Sequence, residues 1–249
     1  MINSKLRQLY IDTFSAESPC VLQMLRDKRR TSEKPAYPLL IKVNEEALAK
    51  ADIKIMTFGQ ETNSWEQKVS ETVIPIEESV MIVEKTVDVF MDYYQSLLNE
   101  KVNGNGKLSP FWYSLYQLKN SKFSTKNVEL IWNNIYKIGN FEKKKNRPGS
   151  SIREFENKYF DTIQQEVNII KPDLILFFTG PDYEGRLMKK FEVIKKHKLK
   201  SDIPSEELAR LDLSIGVPAY RTYHPGYLRR KKKKDYINFI IKDYLERFQ

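Results

Sequence analysis

Four short polar segments of the sequence contain side chains that can take part in hydrolytic chemistry. They are GQETN at 59–63, NN at 133–134, TG at 179–180 and YHPG at 223–226. Together they supply a carboxylate, several carboxamides and an imidazole. A carboxylate can orient water, a neutral imidazole can donate to a developing oxyanion, and a carboxamide offers a donor and an acceptor to a heterocycle. The fold must decide whether these groups share one site.

Each polar segment lies at or near the end of a predicted β-strand. The strand candidates are short apolar runs at 52–59, 128–138, 173–180 and 217–224. Helical periodicity occupies the intervening stretches. Helices are predicted at 75–100, from Ser109-Pro110 onward, at 151–170, at 182–191, at 204–211 and at 235–248.

The alternation of strands and helices indicates an α/β protein. The two clearest strands are continuously apolar, which is typical of strands buried on both faces of a parallel sheet. We therefore expect a three-layer α/β/α sandwich with a central, mostly parallel sheet of four strands. We expect one domain over 1–249, with a helical N-terminal extension at 1–50 and a core at 51–249. Ligands of such sheets bind outside the carboxyl ends of the strands, where the polar segments lie.

Composition limits the classes of function. The formal net charge is +9 and the pI is about 9.3, which favours a polyanionic partner. The single cysteine, Cys20, excludes an intramolecular disulfide and a thiolate zinc cluster, and two histidines exclude a His-rich metal site. No apolar run approaches the roughly 20 residues of a membrane span, and the N-terminus lacks a signal peptide. We expect a soluble, cytoplasmic monomer that uses no metal or cofactor and binds no membrane.

The four segments, with their flanking residues, resemble the motifs of the uracil-DNA glycosylase superfamily. The matching stretches are IMTFGQETNSW, IWNNIYK, KPDLILFFTG and TYHPGYLRR. They occur in the family's order and cover the chain from Asp52 to Arg230. The resemblance implies a uracil-DNA glycosylase-like fold. It also implies an enzyme of base excision repair that extrudes uracil or a related deaminated base from DNA and hydrolyses its N-glycosidic bond.

The resemblance assigns catalytic and base-binding roles. His224 is the expected oxyanion stabiliser, with a structural histidine as the alternative, and Glu61 is expected to position water, with an ordinary loop carboxylate as the alternative. The expected base-binding residues are Gln60, Asn63, Trp65 and Asn134. Trp65 is either a stacking wall of the pocket or a core residue. Asn63 replaces a Tyr that in many members bars the methyl group of thymine, so strict uracil selectivity is not implied.

The same resemblance predicts a DNA-binding surface near 225–234. Tyr227 and Leu228 stand where the family's duplex wedge stands, and the following cations, Arg229 to Lys234, are placed to meet flanking phosphates. Thr179 and Gly180 either let the backbone approach a phosphate or form a plain turn. The predicted DNA-binding residues are Gly59, Thr179, Gly180, Pro225, Gly226, Tyr227, Leu228, Arg229, Arg230 and Lys231. A second basic segment, KKKN at 143–146, is interpreted as a surface loop.

Two other functions remain open at this point. A catalytically inactive or divergent module of the same fold would bind nucleic acid without cleaving it, and the altered GQETN segment favours that alternative. An enzyme acting on free nucleotides would not need the basic segment after His224. Release of free base from an oligonucleotide distinguishes the glycosylase from the other two hypotheses, and tight, salt-sensitive binding without catalysis would favour the binding module.

Overall fold

The computed structural model describes residues 1–63, 83–120, 123, 126–141, 147–233 and 235–248. Within these ranges the helices are α1 Ile2–Ser15, α2 Val21–Arg29, α3 Glu45–Lys50, α4 Val83–Val102, α5 Pro110–Asn120, α6 Ser150–Tyr159, α7 Ile163–Ile170, α8 Glu184–Phe191, α9 Pro225–Arg230 and α10 Asp235–Phe248. The strands are β1 Ile53–Asn63, β2 Val128–Asn140, β3 Leu174–Phe177, β4 Val193–Lys198, β5 Leu208–Leu213 and β6 Ala219–Thr222. A short 3-10 helix, Pro181–Tyr183, precedes α8.

The strands form one mixed sheet in the order β2-β1-β3-β6-β5-β4. β1 pairs with β3 in parallel, with Phe58 opposite Phe177, and β3 pairs with β6 in parallel, with Ile175 opposite Ala219. β5 runs antiparallel to both β6 and β4. The prediction of an α/β protein is confirmed, and all four predicted strands are present.

The prediction of a four-stranded, mostly parallel sheet is wrong. The sheet has six strands, because β4 and β5 form an antiparallel pair beside β6. The prediction of a helix at 204–211 is also wrong, because residues 208–213 form the strand β5. In β5, the buried Leu211 and Leu213 flank the exposed Asp212, and this two-residue alternation is that of a strand. Pairing with two neighbouring strands satisfies its backbone.

The chain divides into two compact, interleaved units. The first contains Met1–Val43, Glu61–Ser96 and Tyr136–Ile170. In it α1 packs against α2 and α7, and buries Leu6, Tyr10 and Phe14, the residues that recur every four positions. The residues of this unit therefore include the helical N-terminus together with later parts of the chain.

A fully buried polar cluster lies within the first unit. The Glu166 carboxylate accepts hydrogen bonds from Lys137 Nζ at 2.6 Å and from the Tyr10 hydroxyl at 2.7 Å. Tyr10 in turn accepts the backbone N–H of Ile41 at 3.0 Å. Burial, and then the neighbouring Glu166, raise the pKa of Tyr10, so its hydroxyl stays protonated and donates.

The second unit contains Asn44–Gln60, Leu97–Ile135 and Lys171–Gln249. Its core includes three aromatic rings, Phe58 of β1, Phe177 of β3 and Phe191 of α8, whose centroids lie 5.0 to 5.3 Å apart. Such pairs stabilise a core beyond the area that they bury. In the same unit, α9 packs against α5. This contact brings the YHPG segment to the helix that begins at Ser109-Pro110.

Candidate functional site

Hydrogen bonds join the carboxyl ends of three parallel strands in the second unit. Gln60 Nε2 donates to the carbonyl oxygen of Thr179 at 3.0 Å, which connects the end of β1 to the residues after β3. The N–H of Gly180 donates to the carbonyl of Thr222 at 3.0 Å, which connects those residues to the end of β6. Three of the four polar segments therefore meet at one edge of the sheet, as the parallel arrangement requires.

Asn134 of β2 lies against Gly59 of β1. Its Oδ1 accepts a hydrogen bond from Trp132 Nε1 at 3.2 Å, while its Nδ2 is buried and has no hydrogen-bond partner among the described residues. A side chain at Gly59 would overlap Asn134 Oδ1, so the close approach of the amide depends on this glycine. The carboxamide of Asn133 instead accepts the backbone N–H of Asn134 at 2.8 Å.

The Nδ2 donor of Asn134, which finds no acceptor in the described part of the chain, is the strongest sign of a ligand at this edge. Asn134 is only 1% exposed, and a buried donor without an acceptor costs about 1–3 kcal/mol. Unsatisfied groups of this kind in a native fold call for an explanation, and a bound acceptor supplies one. The Oδ1 acceptor of this amide is occupied by Trp132, whereas its Nδ2 donor is available to a ligand.

Phe111 of α5 connects Gly59 with His224. Its ring lies 3.4 Å from the position that a side-chain carbon at Gly59 would occupy. The same ring is nearly parallel to the imidazole of His224, with 5.6 Å between centroids and 11° between planes. It also meets Trp132 edge-on, at 6.5 Å. The aromatic ring thus touches residues from three separate parts of the sequence.

His224 begins α9 and is held as a neutral imidazole. Its Nδ1 accepts the backbone N–H of Gly226 at 3.1 Å, and Pro225 occupies the first helical position, where its missing N–H has no cost. Burial, followed by the positive charge of Arg230, lowers the pKa of His224. Because Nδ1 accepts, the proton of the neutral ring lies on Nε2. Within the described residues Nε2 makes no hydrogen bond, so its N–H is available as a donor.

Tyr223 and Tyr227 form a tilted aromatic pair beside this turn. Their centroids are 4.3 Å apart and their planes differ by 30°. Gly180 packs against Tyr223, and a side-chain carbon at this position would lie 3.0 Å from the tyrosine ring. The φ of Gly180 is +72°, in the left-handed region that favours glycine. Both tyrosines are partly exposed, whereas Leu228 is 2% exposed and anchors α9. Of the two expected wedge residues, only Tyr227 reaches solvent.

The end of α9 carries an exposed positive surface. Arg229, Arg230, Lys231 and Lys232 are exposed, and none of these four forms an ion pair within the described part of the chain. Lys233 differs, because its Nζ donates a hydrogen bond to Glu207 and forms an ion pair with it. The same carboxylate accepts a hydrogen bond from the Tyr236 hydroxyl at 2.5 Å. The Lys233 ammonium lowers the pKa of Glu207, so the carboxylate remains charged and neutralises it. The uncompensated charge therefore lies at 229–232.

The remaining predicted residues are distributed as follows. Thr179 is buried, and its hydroxyl has no partner among the described residues. Pro225 and Gly226 are buried in the first turn of α9. Glu61 follows Gln60 in β1, belongs to the first unit and is partly exposed. Asn63 ends β1. Trp65, Lys143 to Asn146 and Lys234 lie outside the described residues.

Sequence reasoning missed Phe111 and Trp132. The Ser109-Pro110 pair predicted only the beginning of a helix, although an aromatic residue directly after such a start was a usable signal. Trp132 stands two positions before Asn134, on the same face of β2, and this spacing places the indole beside the amide. The aromatic ring expected from the sequence was Trp65, and Phe111 is the one that the structure places against His224.

No protein-family model matches the sequence, and comparison with curated proteins gives no match. Among the described residues, no three His, Cys, Asp or Glu side chains are grouped so that they could hold a metal ion. None of the helices in the described ranges has both the length and the apolar character of a bilayer span.

Proposed function

We propose that the protein is a DNA N-glycosylase that releases uracil or a related deaminated base. The observation that carries this proposal is the buried Nδ2 of Asn134, which has no acceptor among the described residues, in a group where the Phe111 ring stacks on the neutral His224. An amide donor, an aromatic surface and an imidazole N–H are the groups that recognise a flat heterocycle and stabilise its anion. The parallel pairing of β1, β3 and β6 supports the uracil-DNA glycosylase-like assignment.

The proposed reaction is hydrolysis of the bond between the base and deoxyribose. The C1′–N bond breaks and its electron pair moves onto the base, whose oxygen accepts a hydrogen bond from His224 Nε2. Water adds to C1′, and the proton that it loses neutralises the base that leaves. Glu61, which the resemblance assigns to positioning this water, belongs to the first unit, and its role stays a prediction. A preorganised donor at a developing oxyanion is worth several kcal/mol in a site that excludes water. The lowered pKa of His224 keeps its ring neutral for this role.

The exposed cations at 229–232 support DNA as the substrate. Extruding a base costs about a few kcal/mol of stacking and pairing energy. Contacts between cations and phosphates offset this cost and make binding depend on salt. Tyr227 is partly exposed at the start of the same helix, where it could enter the duplex. A small free nucleoside would gain little from such a surface.

A base-release assay on oligonucleotides tests the proposal. Wild-type protein is incubated with strands that contain uracil, hypoxanthine or xanthine, and hot alkali then reveals abasic sites. We expect cleavage of at least one strand, and loss of about 10²- to 10³-fold in rate for His224→Ala. His197→Ala is the matched control, because His197 lies on β4 and pairs with Asp212 at 2.6 Å. Intact strands over the whole panel would reject the enzymatic proposal.

The same exposed cations favour the alternative of a nucleic-acid-binding module. In that case binding is retained and base release is absent in both wild-type protein and His224→Ala. We expect Arg230→Ala to reduce the slope of log affinity against log salt by about 0.9 if one phosphate contact is lost. Lys233→Ala should change the slope less, because Glu207 already neutralises Lys233. Salt-dependent binding without any base release would support the module over the enzyme.

A further inference from the structure

A groove lies between α5, α9 and α10 of the second unit, next to the candidate site. Its volume is about 570 Å³, which is in the range of pockets that hold small organic ligands. Its lining includes Pro110, Tyr113, Gln117, Pro225, Leu228 and Arg229. The lining has an apolar floor with a few hydroxyl, amide and guanidinium groups, and none of these residues is acidic.

The groove is continuous along the chain with the candidate site. Pro110 lines it and immediately precedes Phe111, and Pro225 lines it and immediately follows His224. Each of the two stacked residues, Phe111 and His224, is therefore covalently bonded to a residue that lines the groove. The candidate site and the groove are therefore both built on the first turns of α5 and α9.

Tyr113 gives the groove a surface for stacking. Its ring is 52% exposed, which is unusual for a large aromatic residue. Gln117, one helical turn later, donates from Nε2 to the Tyr113 hydroxyl at 2.9 Å and so restrains the ring. Exposed aromatic rings beside cationic groups are the common means by which proteins bind unpaired nucleotides.

The charge at the rim is complementary to a phosphate. Arg229 lines the groove, and Arg230, Lys231 and Lys232 continue the exposed cations from it. An apolar ligand or an acidic peptide would use only the floor or only the rim, whereas a nucleotide uses both. The base would stack on Tyr113 while its phosphate contacts Arg229.

We propose that this groove binds the nucleotide next to the one that His224 engages, with its base unpaired. The inference rests on the nucleic-acid binding of the proposed function and names its preferred substrate as single-stranded or locally opened DNA. A flanking base that remains paired cannot enter the groove, so the groove discriminates between single strands and intact duplex.

The test is the affinity for uracil-free DNA, which does not depend on any cleavage. Fluorescence anisotropy measures binding of a labelled single strand and of the same strand in a duplex. We expect Tyr113→Ala to weaken single-strand binding roughly 5- to 100-fold, with a smaller effect on the duplex. Tyr113→Phe should keep the affinity, because the ring remains. Phe248→Ala is the control, since Phe248 is an exposed aromatic residue of α10, 45% exposed, that does not line the groove.

The outcomes separate this inference from the proposed function. If Tyr113→Ala binds the single strand as tightly as wild-type protein does, the groove proposal is overturned, even when bases are released. If Tyr113→Ala loses affinity and no base is released, the groove proposal stands and the glycosylase activity is rejected. Equal losses for Tyr113→Ala and Phe248→Ala would overturn the groove proposal, because the effect would then be general. Circular dichroism verifies that each variant is folded.

Discussion

The imidazole of His224 and the phenyl ring of Phe111 lie nearly parallel, with 5.6 Å between their centroids. The pair joins the N-terminus of α9 to the first turn of α5, and Phe111 also approaches Gly59 of β1. Because Gly59 contacts Asn134, the four residues form a continuous group within the second unit. Changes to any one of them should therefore affect the proposed activity.

Replacing Phe111 with leucine should separate stacking from packing. Leucine retains much of the apolar volume, so we expect a loss of unfolding free energy on the order of 1 kcal/mol. The flat ring is lost, and kcat/KM for base release should fall roughly tenfold or more. Phe191→Leu is the control, because Phe191 is buried with Phe58 and Phe177 in the same unit. Equal kcat/KM losses in the two variants would contradict the stacking role.

The lowered pKa of His224 predicts how stability depends on pH. Since the folded pKa lies below the ordinary value of 6.5, the unfolded chain binds the proton first as the pH falls. The stability that the neutral form of His224 contributes is complete above about pH 6.5. It is lost as the pH decreases through the folded pKa of this histidine. Urea unfolding of wild-type protein and of His224→Gln at pH 7.5 and 5.0 measures this. We expect the variant to lose less stability at the lower pH; the same loss in both proteins would contradict the assignment.

Two glycine substitutions should have opposite effects. The methyl group of Gly59→Ala would overlap Asn134 Oδ1, so we expect a cost of about 1–3 kcal/mol in unfolding free energy and loss of base release. Gly185→Ala places its methyl group in open space in α8, where alanine is the better helix former, and should be neutral or stabilising by up to about 1 kcal/mol. Thermal unfolding and the base-release assay measure both variants. An active, stable Gly59→Ala protein would show that Asn134 need not hold its position.

The buried ion pair of Lys137 and Glu166 should be sensitive to removal of one partner. Lys137→Met removes the ammonium that pairs with the buried Glu166 carboxylate, and we expect a loss of about 3–5 kcal/mol in unfolding free energy. The double variant Lys137→Met with Glu166→Leu should recover part of that loss, because the buried carboxylate is removed together with its ammonium partner. Urea unfolding of the wild-type, single and double variants forms the cycle. A double variant that is less stable than the single one would show that the pair itself is strongly stabilising.

Local periodicity was sufficient to predict the elements that bury one continuous face. The helical extension predicted at 1–50 contains α1, where Leu6, Tyr10 and Phe14 recur every four positions, and the apolar run before Thr179 predicted β3. The polar residues at strand ends predicted an edge where ligands bind, because parallel strands bring their carboxyl ends together. These conclusions depend only on neighbours a few positions apart, which the sequence displays directly.

Contacts between distant segments decided the rest. The sequence predicts a helix at 204–211, whereas pairing with β4 and β6 makes residues 208–213 the strand β5 and outweighs local propensity. Leu228 stands in a motif that suggested an exposed wedge, yet the packing of α9 on α5 buries it. The packing of α9 on α5 also brings the Phe111 ring against His224. Sequence alone determined which side chains are available for chemistry, and tertiary packing determined which of them meet, since burial and pairing depend on the whole chain.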